Sequence, residues 1–298
     1  MNSLAAIMAV AVLTAPQSSP DAPPTVLSDI VVNGVSVPLE TRAKAFVDTV
    51  AAPFPQATLA RWSGAICPAV VNLDRGLASQ ITDRIRAEAG ALGVRVAGEG
   101  CRGNIIIVAT DAADLTARRL VLDSERSFHP GDSGTDLGRS ALERFQTSDA
   151  AVRWWHVAMP VSDDTGKLAI ALDGEAPPVL ADRVVTRLRA NIRYDMAWVI
   201  VVIDVTKTAT VPVGDLADYI TMVSLAQIDA EADFAPYDTV LNLFQPNASL
   251  QGMTGWDQAY LRALYGVDAN ATSWAWQSRD MARSIAEGLL RQHTPDQE

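Results

Sequence analysis

Histidine is close to absent from this chain: three in 298 residues, at positions 129, 156 and 293. Cysteine is rarer still, with Cys67 and Cys101 alone. So few imidazoles and thiols leave little from which to build a transition-metal centre. Basic charge is also short, 24 Lys and Arg against 35 Asp and Glu, and no basic run occurs. A chain of net charge −11 without such a run lacks the means to displace phosphate counterions, which argues against nucleic-acid binding. No apolar run reaches the roughly 20 residues that a membrane-spanning helix needs. Gly-x-Ser-x-Gly and P-loop motifs are missing as well.

What the chain does carry is core material, with 49% of its residues hydrophobic, well above the content of disordered chains. Apolar periodicity places the elements. Leu77 to Leu92 predicts a helix, with Leu77, Ile81, Ile85, Ala89 and Leu92 on one stripe and Gly93 at its end. Further helices are expected over 40–51, 111–121, 137–145, 214–228, 256–265 and 273–291. Asn104 to Thr110 and Trp198 to Val205 are apolar enough to be buried strands. Other strands are expected over 58–62, 65–71, 94–97, 151–161, 167–172 and 184–192. Asp163-Asp164-Thr165-Gly166 is hairpin-turn chemistry between two of these. Strands and helices interleave irregularly, with no repeat and no evident linker. The expected architecture is therefore α+β, a single domain over 23–298 with helices packed on a mixed sheet.

Ser3 to Leu13 (SLAAIMAVAVL) is unbroken apolar sequence followed by a Pro/Ser-rich spacer. This pattern matches the h-region of a secretory signal peptide, expected with its spacer over 1–22. No Lys or Arg precedes the run, and Pro16 follows the best cleavage position at Ala15. The other reading is a buried N-terminal helix. A periplasmic or secreted location agrees with the cysteines, because Cys67 and Cys101 read as one disulfide in an oxidising compartment. The alternative is two buried thiols.

Gly98 to Gly103 spells G-x-G-x-x-G, yet a strand follows where a dinucleotide site needs a helix N-terminus. It reads as a glycine-rich turn. Asp132-Ser133-Gly134 and Asp164-Thr165-Gly166 resemble the signature of aspartic peptidases, but their flanking residues and close spacing favour turns. His129 lies among Asp123, Glu125, Asp132 and Asp136, oxygen ligands suited to a hard cation such as Ca²⁺. A solvated polar loop is the plainer reading. His156 follows Trp154 and Trp155, and strand alternation puts Trp154 and His156 on one face. That face is either an aromatic binding patch or the setting of a hydrogen-bonded structural histidine.

The block from Asp218 to Gly266 carries DYITMVSLAQ, TVLNLF and MTGWDQAYLRALYG. In that order the segments resemble the second half of zincin-type metallopeptidases, and especially a set of uncharacterised exported proteobacterial proteins related to them. Met253, Thr254, Asp257, Leu261, Leu264 and Tyr265 match a segment of the form Leu-Thr-x-x-Asp-x-x-x-Leu-x-x-Leu-Tyr. Trp198 to Val205 would correspond to the strand before the active-site helix. Hydrolytic zinc needs His-Glu-x-x-His on that helix. Here Tyr219 and Val223 stand at the histidine positions and Ile220 at the glutamate. The resemblance thus implies a peptidase scaffold without zinc chemistry, while an ordinary core helix and an ordinary amphipathic helix account for the same residues.

The resulting expectation is an exported, non-catalytic binding or structural protein for a protein, peptide or envelope ligand, with no metal or other cofactor. Candidate binding residues are Trp154, His156, Asp218, Tyr219 and Ser224. The competing expectation is a hydrolase using carboxylates or a divalent cation at His129, Asp132 and Asp136.

Overall fold

The computed structural model describes residues 31–32, 35–131, 134–172, 176, 189–246 and 252–293. The chain divides into two units, 1–37 and 38–298. In the first, β1 (Val31–Val32) and β2 (Val35–Ser36) pair as a short antiparallel hairpin. The signal peptide and spacer expected over 1–22 lie outside the described residues.

The second unit is an α+β domain on a four-stranded mixed sheet. Its strands are β3 (Pro68–Val71), β4 (Ile105–Thr110), β5 (Val152–Ser162) and β6 (Ile192–Asp204), in the order β3-β4-β6-β5. β3, β4 and β6 run parallel, and β5 lies antiparallel to β6 at the edge. The β-branched runs of β4 and β6 sit at the centre, where both faces of the sheet are covered. The disulfide between Cys67 and Cys101 joins the residue before β3 to the glycine turn before β4. Asn104 reinforces that joint, donating from Nδ2 to Ala65 O and accepting the Cys67 N–H at 2.6 Å.

α2 (Arg75–Ala91) is the crossover between β3 and β4. The Asp74 carboxylate accepts the N–H groups of Gly76 and Leu77, so the helix begins before the expected Leu77. Leu77 consequently falls in the first turn and is 38% exposed, while Ile81, Ile85 and Ala89 are fully buried. On one face of the sheet lie α3 (Ala113–Asp123), α4 (Glu125–Phe128) and α5 (Arg139–Thr147). Ala117, Phe128 and Phe145 from these helices close on Trp155, Val157, Ile200 and Val202. The single turn α6 (Val205–Thr208) follows β6. α2 packs with α7 (Val213–Leu225) over the other face. α1 (Leu39–Val50), α8 (Gly255–Gly266) and α9 (Trp274–His293) pack together alongside them. No helix among the described residues is long and apolar enough to cross a membrane.

α8 opens with a capping box: Thr254 Oγ1 accepts the Asp257 N–H, and the Asp257 carboxylate accepts the Thr254 N–H. That buried carboxylate also takes the Val240 N–H at 2.8 Å and the Thr239 hydroxyl at 2.5 Å. Burial pushes the Asp257 carboxyl up, and these hydrogen bonds oppose the rise. Thr254 and Asp257 thus have a plain task in starting a helix and fixing the loop before it.

Several expected strands shrink to single bridges. Over 58–62 only Arg61 bridges, to Asp195. The N–H groups beside it are taken by side chains instead: Leu59 by Gln277 Oε1 at 2.7 Å and Ala60 by Gln227 Oε1 at 2.5 Å. Over 94–97 only Val96 bridges, to Ile66. Over 167–172 only Leu168 does, opposite Val161, with Gly166 at φ +66° in the turn that returns the chain. Ile192 opens β6 instead of ending a separate strand, and residues 184–188 lie outside the described residues.

Candidate functional site

α7 is buried on nearly every side, so its C-terminal carbonyls are out of reach of solvent. Met222 O accepts the Ala226 N–H in the ordinary helical way. The next three carbonyls are met by side chains from three separate parts of the chain. His156 Nε2 donates to Val223 O at 2.7 Å, Trp62 Nε1 to Ser224 O at 2.9 Å and the Tyr265 hydroxyl to Leu225 O at 2.8 Å. A carbonyl can only accept, which assigns His156 its Nε2–H tautomer. Burial lowers the His156 pKa to about 4, the Val223 hydrogen bond opposing this, so the ring is neutral at pH 7. His156 is therefore a structural donor through Nε2.

Two more of the candidate binding residues are joints of the fold. Asp218 pairs with Arg84 on α2 and accepts the Met253 N–H at 2.9 Å. Gly252, at φ +80°, makes room for it, since a Cβ there would stand 2.5 Å from Asp218 Oδ2. Gly252→Ala is expected to lower stability by about 2 kcal/mol in urea denaturation, through the positive φ and that clash. Ser224 offers a carbonyl to Trp62, and its hydroxyl is buried without a partner among the described residues.

Trp154 and Tyr219 do meet. Their ring centroids are 6.1 Å apart at 69°, and Tyr219 packs on Phe244 at 5.1 Å and 76°. A cavity of about 420 Å³ opens beside them, between the first half of β5, α5 and the stretch from 228 to 245. Phe145 and Phe234 add to its aromatic walls, and His156 also borders it. At its rim Arg144 pairs with Glu231 at 2.7 Å, both half-exposed, a contact worth little to stability. Arg153 leans to the other face, where its buried guanidinium reaches Asp114 at 2.5 Å and Gln146 O at 3.2 Å. Its hydrogen bond and charge hold the Asp114 carboxyl below its ordinary value.

The edge of β5 is divided in two. Ala151 O accepts the Asp204 N–H directly opposite it, which sets the parity of the antiparallel ladder. Residues 151, 153, 155 and 157 bond to β6, and Val152, Trp154 and His156 turn their backbone groups outward. Farther along the outer row is covered. Ala158 N–H reaches Thr135 O at 2.9 Å, Ala169 N–H reaches Pro160 O at 2.8 Å, and Ser162 N–H reaches Lys167 O at 2.8 Å. Over 152–156 no described residue does the same, and there the cavity lies.

The alternative site is only partly assembled within the described residues. His129 Nδ1 lies 2.7 Å from Asp136 Oδ2 beside a second cavity of about 290 Å³. Asp136 also accepts the Thr135 hydroxyl at 3.2 Å and the Gly138 N–H at 2.7 Å, which ties down the loop before α5. Asp132 lies outside the described residues. Among those described, no three His, Cys, Asp or Glu side chains gather where they could hold a metal ion.

Sequence reasoning missed Phe234, Phe244 and Arg144, which reach the cavity from loops and a helix far apart in the chain. Arg153 carried a signal, as a charged residue within an apolar strand. Comparison with protein-family models, with curated proteins and with solved structures found no match.

Proposed function

We propose that this chain is a non-catalytic binding protein, working outside the cytoplasm, whose ligand occupies the aromatic cavity beside β5. The observation that carries this reading is the meeting of Trp154, Tyr219 and Phe244 around a cavity of about 420 Å³. Its size and aromatic walls fit the usual form of ligand sites. His156, the titratable ring at its border, has its Nε2 proton committed to Val223 O. The apolar run over 3–13 and the Cys67–Cys101 disulfide support export. In the zincin-like reading, Tyr219 stands where the first zinc histidine would be and supplies a binding wall instead.

The test uses 1-anilinonaphthalene-8-sulfonate as an apolar probe. One dye molecule is expected to bind each chain with enhanced fluorescence. Ala230→Trp, at an exposed position on the cavity rim, is expected to weaken that binding at least about tenfold, or about 1.4 kcal/mol, with an unchanged melting temperature. Equal dye binding by the variant would sink the proposal.

The 2.7 Å contact between His129 and Asp136 favours a second reading, in which the carboxylate orients the imidazole as a general base. Hydrolysis of p-nitrophenyl acetate separates the two. A rate that falls more than about tenfold in His129→Asn supports hydrolysis, and equal rates exclude that site.

A further inference from the structure

We infer that the ligand of this cavity is an extended peptide segment of a partner protein, which adds to the sheet as a strand beside β5. This rests on the binding reading above and names its chemistry. Val152, Trp154 and His156 present alternating backbone N–H and C=O groups along one line, directed away from β6. They are 1%, 7% and 4% exposed, so these polar groups lie within walls and away from bulk solvent. Backbone donors and acceptors in that position call for partners. Over 158–162 the same row has them, from Thr135 and from residues 167 and 169. An added strand would continue over 152–156 the pairing that the chain itself supplies farther on.

The charges around the cavity favour a backbone over a charged headgroup. Arg144 is paired with Glu231, Arg153 with Asp114, and the Asp229 carboxylate accepts the Glu231 N–H at 2.9 Å. The row of peptide groups and the aromatic wall line the cavity together with the Asp229 carboxylate and the Gln245 amide, and no unpaired Arg or Lys stands among the described lining residues. A strand rises about 3.4 Å per residue, so the row from 152 to 156 matches about five residues of ligand. Ligand side chains on the α7 side would meet Trp154, Tyr219 and Phe244, which favours bulky apolar residues at alternate positions. The row is recessed between α5 and the loop from 228 to 234, a setting for one isolated strand more than for the flat edge of a second copy's sheet.

The experiment selects a displayed library of random peptides, about ten residues long, on the full chain. Recovered sequences are expected to alternate apolar and polar residues. Synthetic copies are then N-methylated at every second backbone nitrogen. Methylation in one register is expected to lower affinity at least about tenfold, and in the other to change it little, because only alternate N–H groups face β5. Val152→Pro removes an outward donor and leaves the β5–β6 ladder intact, since proline is tolerated at edge positions. It is expected to weaken the peptide about tenfold, the worth of one good hydrogen bond.

Failure to recover peptides, equal effects of both methylation registers, or full affinity in folded Val152→Pro would overturn the inference. So would dimerisation of the free protein through this edge, abolished by Val152→Pro. The methylation result does not depend on any variant folding. Stoichiometric dye binding that Ala230→Trp weakens, combined with failed peptide selection, would leave the cavity as a ligand site and remove only the strand-addition chemistry.

Discussion

Trp62→Ala is expected to lower the free energy of unfolding by about 4 kcal/mol, the largest loss foreseen for a single side chain here. Two effects combine. The indole is 4% exposed, so its removal leaves a void that the surrounding helices only partly close. Its Nε1–H also holds Ser224 O at 2.9 Å, at a buried helix end whose last carbonyls have no intrahelical partner. Trp62→Phe separates the two contributions, because it keeps most of the packing and loses the donor. That variant is expected to cost about 1–2 kcal/mol, the range for a buried carbonyl left unmet. Equilibrium denaturation in urea measures both. A Trp62→Phe variant as stable as the parent would show that the helix end needs no donor at this position.

Acidification from pH 7 to pH 4 is expected to remove about 3 kcal/mol of stability through His156 alone. The folded chain protonates this ring only near pH 4, and the unfolded chain does so near 6.5, because burial disfavours the charged imidazole. Between those values the unfolded chain holds the extra proton. Stability is therefore complete above about pH 6.5 and falls as the pH drops toward 4, by about 1.4 kcal/mol per pH unit. Carboxylates titrate in the same range, so the measurement is a difference between the parent and His156→Gln. Glutamine can donate to Val223 O and does not titrate. The parent is expected to lose about 3 kcal/mol more than the variant over this interval. Parallel pH profiles would mean that His156 takes up its proton without penalty.

Much of the scaffold could be read from the residues. The stripe through Ile81, Ile85 and Ala89 points to a helix, and the runs at 104–110 and 198–205, expected as buried strands, fall on β4 and β6 at the centre of the sheet. What failed was pairing. Residues 58–62 look like a strand and form one bridge at Arg61, yet glutamines on distant segments take the Leu59 and Ala60 N–H groups. No local pattern announces such a substitution. Alternation correctly set Trp155 on the face opposite Trp154 and His156, because the period of a strand is a local property. The cavity was harder to foresee. Trp154 and Tyr219 stand out as aromatic residues, but their meeting depends on how α7 crosses β5. Which half of the β5 edge is covered by described residues depends on the turn at 163–166 and on Thr135. Asp218 is a candidate for its place beside Tyr219 in the segment that resembles a zincin helix, and its ties to Arg84 and Met253, with Gly252 making room, emerge only in the fold.

The far end of α7 also sets a timetable for folding. Its three side-chain donors lie 162, 67 and 40 residues from their acceptors along the chain, and one of them, Tyr265, follows the helix. During synthesis the segment around Leu225 must therefore wait for α8 before its last carbonyl is satisfied. Contacts so distant in sequence slow the search for the native state and bind early and late regions into one cooperative step. The amides of this segment should accordingly exchange with solvent only when the whole domain opens.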